Sequence, residues 1–326
     1  MSKTKELIKN TGIIAIGKFS TKVVSFFLLP LYTALLSTSE YGEFDFLVIV
    51  AQFLTPFITL LMDEGMFRFL IDADNDQKKK EVISQAIIYI TFSISIFSLI
   101  VYAILRFVDY KYSNYLILYI ISLVIFNLAL SLTRGLGKIK LYSFASFLSG
   151  LLHICFNILF IVFLRLKVEG LLLGNIISNL LVSLGVLISV KIYRYISFKD
   201  YDSELMREML HYTFPLVPNS VSWTIINFSD RMVLTSFLGT AANGIYSVAN
   251  KFPTLIDTIY GFFYTSWKES ASKAIRESNS QEFYSFIYMA LNKFLMSITI
   301  GLIAVLPFIF NIFISESYNE AYRSEE

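Results

Sequence analysis

Five cations stand where an apolar chain tolerates them least. Lys18, Lys22, Arg231, Lys251 and Lys293 each fall inside a long hydrophobic run. A charge at the middle of a bilayer costs about 2.5 to 3.5 kcal/mol on insertion scales. Lys18 and Lys22 are spaced i, i+4 and so share one helix face. Lys251 lies some ten residues into its run, about 15 Å deep at 1.5 Å per residue, just before an expected kink at Pro253. Arg231 ends a polar stripe of Asn219, Trp223, Asn227 and Arg231 that rises in four-residue steps. The deep carboxylates in this reading are Asp230 and Asp257. Positive charge in excess calls for an anion, so anion binding is the chemistry to expect.

Each residue also has a plainer role open to it. Lys18, Lys22, Lys251 and Lys293 have stems long enough to snorkel toward an interface. Asp230 and Arg231 are about 100° apart around a helix, so each is expected to pair with a neighbouring helix. Glu64 and Arg68 are expected to form an i, i+4 pair. His153, Asn157, Asn175 and Asn179 read as hydrogen-bond glue between helices, and Gly170 with Gly174 as a small-residue packing stripe. Pro30, Pro56, Pro215 and Pro218 offer bends.

The elements that must position these groups follow from composition. Of 326 residues 56% are hydrophobic and 16% charged, with mean hydropathy +0.63, against roughly 25% charged in a soluble domain. Apolar runs recur near the ~20 residues needed to cross hydrocarbon as a helix. Nine spans are expected, at about 11–36, 42–70, 82–105, 115–133, 141–165, 169–190, 213–238, 241–268 and 283–309. Sixteen Lys and Arg fall on the side of the N-terminus and five on the other, which places the N-terminus in the cytoplasm. The basic head followed by an apolar run lacks a cleavage site and reads as a retained first span.

An internal echo accompanies the spans. TALLSTSEYGEF at 33–44 aligns with TSFLGTAANGIY at 235–246, with Thr33/Thr235, Leu36/Leu238, Thr38/Thr240 and Gly42/Gly244 identical at an offset of 202. Each copy falls at the outer turn between two spans. The repeat is therefore parallel, as in transporters made of two lobes. The reading is an N-terminal lobe of six helices at 1–190, a cytoplasmic linker at 191–212 and a partial C-terminal lobe of three helices at 213–326.

Several functions are excluded or disfavoured. No GxxxxGK[ST], GxGxxG or HExxH motif is present, and His153 and His211 are the only histidines. Cys155 is the sole cysteine, so an intrachain disulfide and a thiolate metal cluster are both impossible. The reading is of a protein that is not an enzyme, with no catalytic residue, no bound metal, no cofactor and no nucleic-acid partner.

The opening GIIAIGKFSTKVVSFFLLPLYTALLSTSEYGEFD and the later NFSDRMVLTSFLGTAANGIYSVANKF resemble the bacterial polysaccharide flippases of the Wzx type, within the superfamily that also holds the MATE exporters. The resemblance covers essentially the whole chain. It implies an all-α, polytopic membrane bundle with two lobes around a cavity that opens alternately to either side of the cytoplasmic membrane. The implied cargo is an undecaprenyl-pyrophosphate oligosaccharide for surface polysaccharide synthesis, with lipids, a polymerase and other assembly proteins as partners. Carried onto this sequence, Lys18, Lys22, Arg231 and Lys251 would hold the pyrophosphate. Asp230, Asp257, Asn227 and Lys293 would serve coupling or structure, with Na+ or H+ as the coupling ion. Relatives continue into further helices beyond the segment resembling SYNEAY, so the chain is expected to be truncated. Two other readings stay open: a cation-coupled MATE-type exporter of small molecules, and a non-transporting truncated membrane protein.

Overall fold

The computed structural model describes residues 28–196, 201–258, 260–261 and 280–318. Those residues form helices joined by short turns, with no strand among them. The order is α1 (Leu29–Leu35), α2 (Thr38–Thr59), α3 (Met62–Ile71), α4 (Asp76–Val108), α5 (Ser113–Gly135), α6 (Ile139–Asn157), α7 (Lys167–Val190), α8 (Ser203–Thr213), α9 (Leu216–Leu238), α10 (Thr240–Ala249) and α11 (Ser280–Phe313). Six stretches within them are long and apolar enough to cross a membrane: Thr38–Thr59, Asp76–Ile104, Ser113–Gly135, Ile139–Phe163, Lys167–Val190 and Ile287–Phe310. α9 is also 23 residues long. It carries Asn219, Asn227, Asp230 and Arg231 and is not one of the six. Most of the first expected span, with Lys18 and Lys22, lies outside the described residues.

Local signals set the helix ends. Ser37 opens α2 with a reciprocal capping box, its Oγ accepting from Glu40 N–H at 3.2 Å while its own N–H donates to Glu40 Oε2 at 2.9 Å. Asp202 opens α8 by accepting from Glu204 N–H at 2.8 Å. Gly239, at φ 86°, makes the sharp turn from α9 into α10. α6 loosens into a π-helical stretch over Ile158–Phe163 before the chain turns into α7.

α2 and α3 divide what the sequence suggests is one span. Leu60 and Leu61 are both left-handed, at φ 46° and 54°, a conformation that costs a non-glycine residue roughly 1 to 2 kcal/mol. Thr59 bridges the break, its Oγ1 donating to Thr55 O at 3.1 Å and accepting from Leu61 N–H at 3.2 Å. The bend turns α3 onto α8, where Gly65 lies against the Thr213 methyl group. α8 buries Met206, Met209 and Thr213, so this part of the 191–212 segment is an amphipathic helix docked on the bundle.

Two apolar cores result. The larger, including Leu47, Met62, Ile83, Ile120, Leu172 and Met209, fills the bundle of α2 to α8. The second joins Leu29, Tyr32, Leu36 and Tyr41 to Val248, Phe252, Phe310 and Tyr318. Tyr318 adds a hydrogen bond from its hydroxyl to Leu36 O at 3.0 Å. Small residues allow the tightest contacts, as at Gly174, where a Cβ would overlap the Asn157 amide oxygen. That is the packing expected of the Gly170 and Gly174 stripe.

One expected pair is not made. Glu64 and Arg68 do not bond to each other, because Glu64 turns to Arg134 on α5 (3.5 Å) and Arg68 to Asp72 one turn on (2.5 Å). Arg134 also lies over the Phe67 ring, 4.0 Å from its centroid, and so draws Glu64 away from its helical neighbour.

The glycines yield a test. Adding a Cβ at Gly42 or Gly244 forces it into a facing backbone, whereas Gly185 on α7 has open space around it. Gly42→Ala and Gly244→Ala should each destabilise the purified protein by at least the 1 to 3 kcal/mol typical of overpacking. Gly185→Ala should leave its melting temperature unchanged or higher.

Candidate functional site

The two copies of the sequence echo meet face to face. At Gly42 a Cβ would overlap the carbonyl oxygen of Thr240, and at Gly244 it would overlap that of Thr38. These four residues are the identical pairs of the repeat, so the contact is reciprocal under the 202-residue offset. Hydrogen bonds surround it: Asn243 Nδ2 donates to Gly42 O at 2.7 Å, and the Ser39 and Thr240 hydroxyls lie 2.6 Å apart. Glycine is required on both helices because only bare backbone permits this approach.

One turn further along α2 the same crossing brings opposite charges together. Arg231 Nε donates to Asp45 Oδ2 at 3.2 Å, and both side chains are buried. The guanidinium also stands over the Tyr246 ring, 5.0 Å from its centroid, while the Tyr246 hydroxyl donates to Asp230 Oδ2 at 3.0 Å. Phe53 on α2 stacks on Phe228 of α9 at 4.1 Å. Asp230 and Arg231 therefore do pair with neighbouring helices. Arg231 is not one of a set of unpaired cations, since Asp45, a carboxylate missing from the sequence-based tally, neutralises it. The remaining buried donor, Nη1, makes no hydrogen bond among the described residues.

Next to the crossing lies a chamber of about 440 Å³. Its walls come from α1 and α2 (Tyr32, Tyr41, Phe44, Gln52), α5 (Tyr119, Phe126, Asn127), α6 (Tyr142, Ser146, Ser149, His153) and α7 (Asn175, Asn179). Residues 119, 123, 126, 127 and 130 recur at helical spacing, so they present one face of α5. Lys251, half-buried, is the one described lining residue from the chain beyond α8. Among the described lining residues it is also the one Lys or Arg, and there is no carboxylate.

The expected site residues thus divide. Lys251 lines the chamber, and Arg231 is tied to Asp45 beside it. Asn227, Asp257 and Lys293 are exposed and are not among the described residues that line the chamber. Lys18 and Lys22 fall outside the described residues. Of the residues read as interhelical glue, Asn157 fits, donating to the Tyr32 hydroxyl at 2.6 Å. Asn179 fits too, donating to Ser122 Oγ on α5 at 3.4 Å, and His153 on α6 meets the Asn175 side chain on α7; all three also reach the chamber wall. Sequence reasoning missed Asp45, Gln52 and Asn127. A single polar residue on the otherwise apolar inward face of α2 or α5 was the available signal.

A family model described as polysaccharide biosynthesis protein matches residues 7–268. The chain belongs to the polysaccharide biosynthesis protein family. No curated protein is matched. Among solved structures, it is similar to the inward-facing conformation of a multidrug resistance MATE family transporter of the MOP superfamily, with a TM-score of 0.73 at 17% identity, covering 95% of this chain and 78% of that one. It is also similar to a MATE protein in complex with MaL6, with a TM-score of 0.65 at 16% identity over 97% and 77% of the two chains. A third similar structure is a MOP superfamily transporter from Pyrococcus furiosus described as having a binding pocket of reversed polarity, with a TM-score of 0.59 at 16% identity over 97% and 76%. This polysaccharide biosynthesis protein therefore has the MATE-like fold.

In this polysaccharide biosynthesis protein the buried pair beside the chamber ties α2 to α9. Breaking such a pair by removing one partner costs about 3 to 5 kcal/mol, because the other charge stays buried and unpaired. Asp45→Asn and Arg231→Gln should each lower thermal stability by that order in detergent. The double variant Asp45→Leu/Arg231→Met should recover most of the loss. Single variants that melt like the wild type would show that the pair bears no load.

Proposed function

We propose that this polysaccharide biosynthesis protein is a flippase, carrying a polyprenyl-pyrophosphate-linked oligosaccharide across the cytoplasmic membrane by alternating access. One observation carries the reading: the chamber's described lining offers amides, hydroxyls, aromatic rings and the unpaired cation Lys251, with no carboxylate. Lys251 makes no ion pair with any described residue. A cationic drug would be repelled by such a wall, and the second reading, a cation-coupled small-molecule exporter, finds no carboxylate among the described lining residues to bind the ion.

The mechanism makes and breaks no covalent bond. The pyrophosphate loses water on entering the membrane, and Lys251 replaces that hydration with a fixed charge; Lys18 and Lys22, expected from the sequence to share that role, lie outside the described residues. The polyprenyl chain remains in lipid between the lobes. Rocking of the helices before residue 190 against those after residue 213 then exposes the chamber to the other side. The charge bias of the loops puts the Gly42 and Gly244 crossing at the outer end, so separation there opens the chamber outward.

Lys251 provides the test. Losing one hydrogen bond to a charged group removes about 1.5 to 3 kcal/mol, roughly ten- to a hundredfold in affinity. In a host lacking its own exporter, Lys251→Gln should abolish or strongly reduce surface glycan while the protein still reaches the membrane, and Lys251→Arg should retain part of it. Wild-type surface glycan with Lys251→Gln would remove Lys251 from the mechanism and with it this proposal.

A further inference from the structure

The chamber is equipped for hydroxyl groups as well as for charge. Gln52 on α2 and Asn127 on α5 line it, and neither side chain makes a hydrogen bond to any described residue. Gln52 is exposed and Asn127 half-buried, so each keeps a donor and an acceptor open to water or a ligand in the chamber. Their neighbours are held in place. Asn175 Nδ2 donates to Leu171 O at 3.0 Å, Asn179 Nδ2 to Ser122 Oγ at 3.4 Å, and His153 hydrogen-bonds the Asn175 side chain. The polar wall is thus partly pre-set and partly uncommitted. The rings of Tyr119, Phe126 and Tyr142 complete it.

Sugars match this combination. A pyranose has a rim of hydroxyls that donate and accept together, which a side-chain amide answers with its own donor and acceptor. It also has apolar C–H faces suited to aromatic walls. The volume lies within the ~300 to 1,000 Å³ of small-molecule pockets. Charge narrows the choice further. With one described cation in the lining and no described carboxylate, a negatively charged sugar would compete with pyrophosphate for Lys251, and a positively charged one would find no counter-ion.

Resting on the flippase reading, we infer that the chamber seats the saccharide next to the pyrophosphate and accepts it in uncharged form. Gln52 and Asn127 determine its specificity, and Lys251 takes the pyrophosphate at the wall shared with the C-terminal helices. The described groups that meet the sugar thus lie on the helices before residue 190, and the described cation for the phosphate lies where the two parts of the chain meet.

The experiment measures binding to the full chain in nanodiscs with four probes. These are bare polyprenyl pyrophosphate and the same carrier bearing N-acetylglucosamine, galactose or glucuronic acid. The wild type should bind at least one neutral glycosyl carrier ten times more tightly than the bare one, and the glucuronosyl carrier no more tightly than the bare one. Gln52→Leu/Asn127→Leu should erase that preference and leave affinity for the bare carrier unchanged. Gln52→Met, a near-isosteric change that removes the amide without adding charge, should reduce the preference and guards against misfolding of the double variant. Lys251→Gln should weaken binding of the bare and neutral carriers by the same factor. A preference for the neutral sugar that survives in both Gln52 variants, or a glucuronosyl carrier bound as tightly as the neutral ones, would overturn the subsite and leave the flippase reading intact. Failure of the wild type to bind any of the four probes would overturn both.

Discussion

The structure depends on a place where two helix backbones touch. Gly42 and Gly244 leave no room for a side chain between α2 and α10, and everything nearby takes its position from that contact. It brings α2 alongside α9, so Asp45 reaches Arg231 and Phe53 stacks on Phe228. It also buries Tyr41, which stands in the second core and in the chamber wall at once. The chamber is therefore built directly against the junction between the earlier and later parts of the chain. A change of angle at the crossing must alter its shape.

Energetically the junction combines a contact that cannot be tuned with one that can. Glycine against backbone carbonyl is fixed by sterics and tolerates almost no substitution. The Asp45 and Arg231 pair is different, because burying two charges costs nearly as much as their attraction returns. Such a pair adds little net stability yet strongly penalises any state in which one partner is buried alone. It suits a joint that holds one arrangement and releases it only when both charges can be rehydrated. The left-handed break at Leu60 and Leu61 divides α2 from α3, so the helix that carries Asp45 is not rigidly continuous with the segment docked on α8.

Much of this was legible in the residues, but unevenly. The helices were, because apolar runs near twenty residues in length have few other solutions in a bilayer. The junction was visible in outline, since Thr38/Thr240 and Gly42/Gly244 repeat at a constant offset, although nothing in the repeat said that its copies touch. Arg231 was singled out from its place in an apolar run, but its partner lies 186 positions away, and sequence spacing carries no information about a pairing made by tertiary packing. Gln52 and Asn127 went unnoticed for another reason. A lone amide in a hydrophobic run shifts hydropathy little and looks the same whether it bonds a neighbouring helix, as Asn157 does to Tyr32, or faces a cavity.

The central claim is that the α2 and α10 crossing must separate for cargo to pass. The hydroxyls of Ser39 and Thr240 are 2.6 Å apart across it, and Cys155 is the only native thiol. Export of surface glycan by Ser39→Cys/Thr240→Cys in a Cys155→Ser background, oxidised and then reduced, tests this most directly. The account predicts that export stops when the disulfide forms and returns on reduction; undiminished export by the fully cross-linked protein would contradict it.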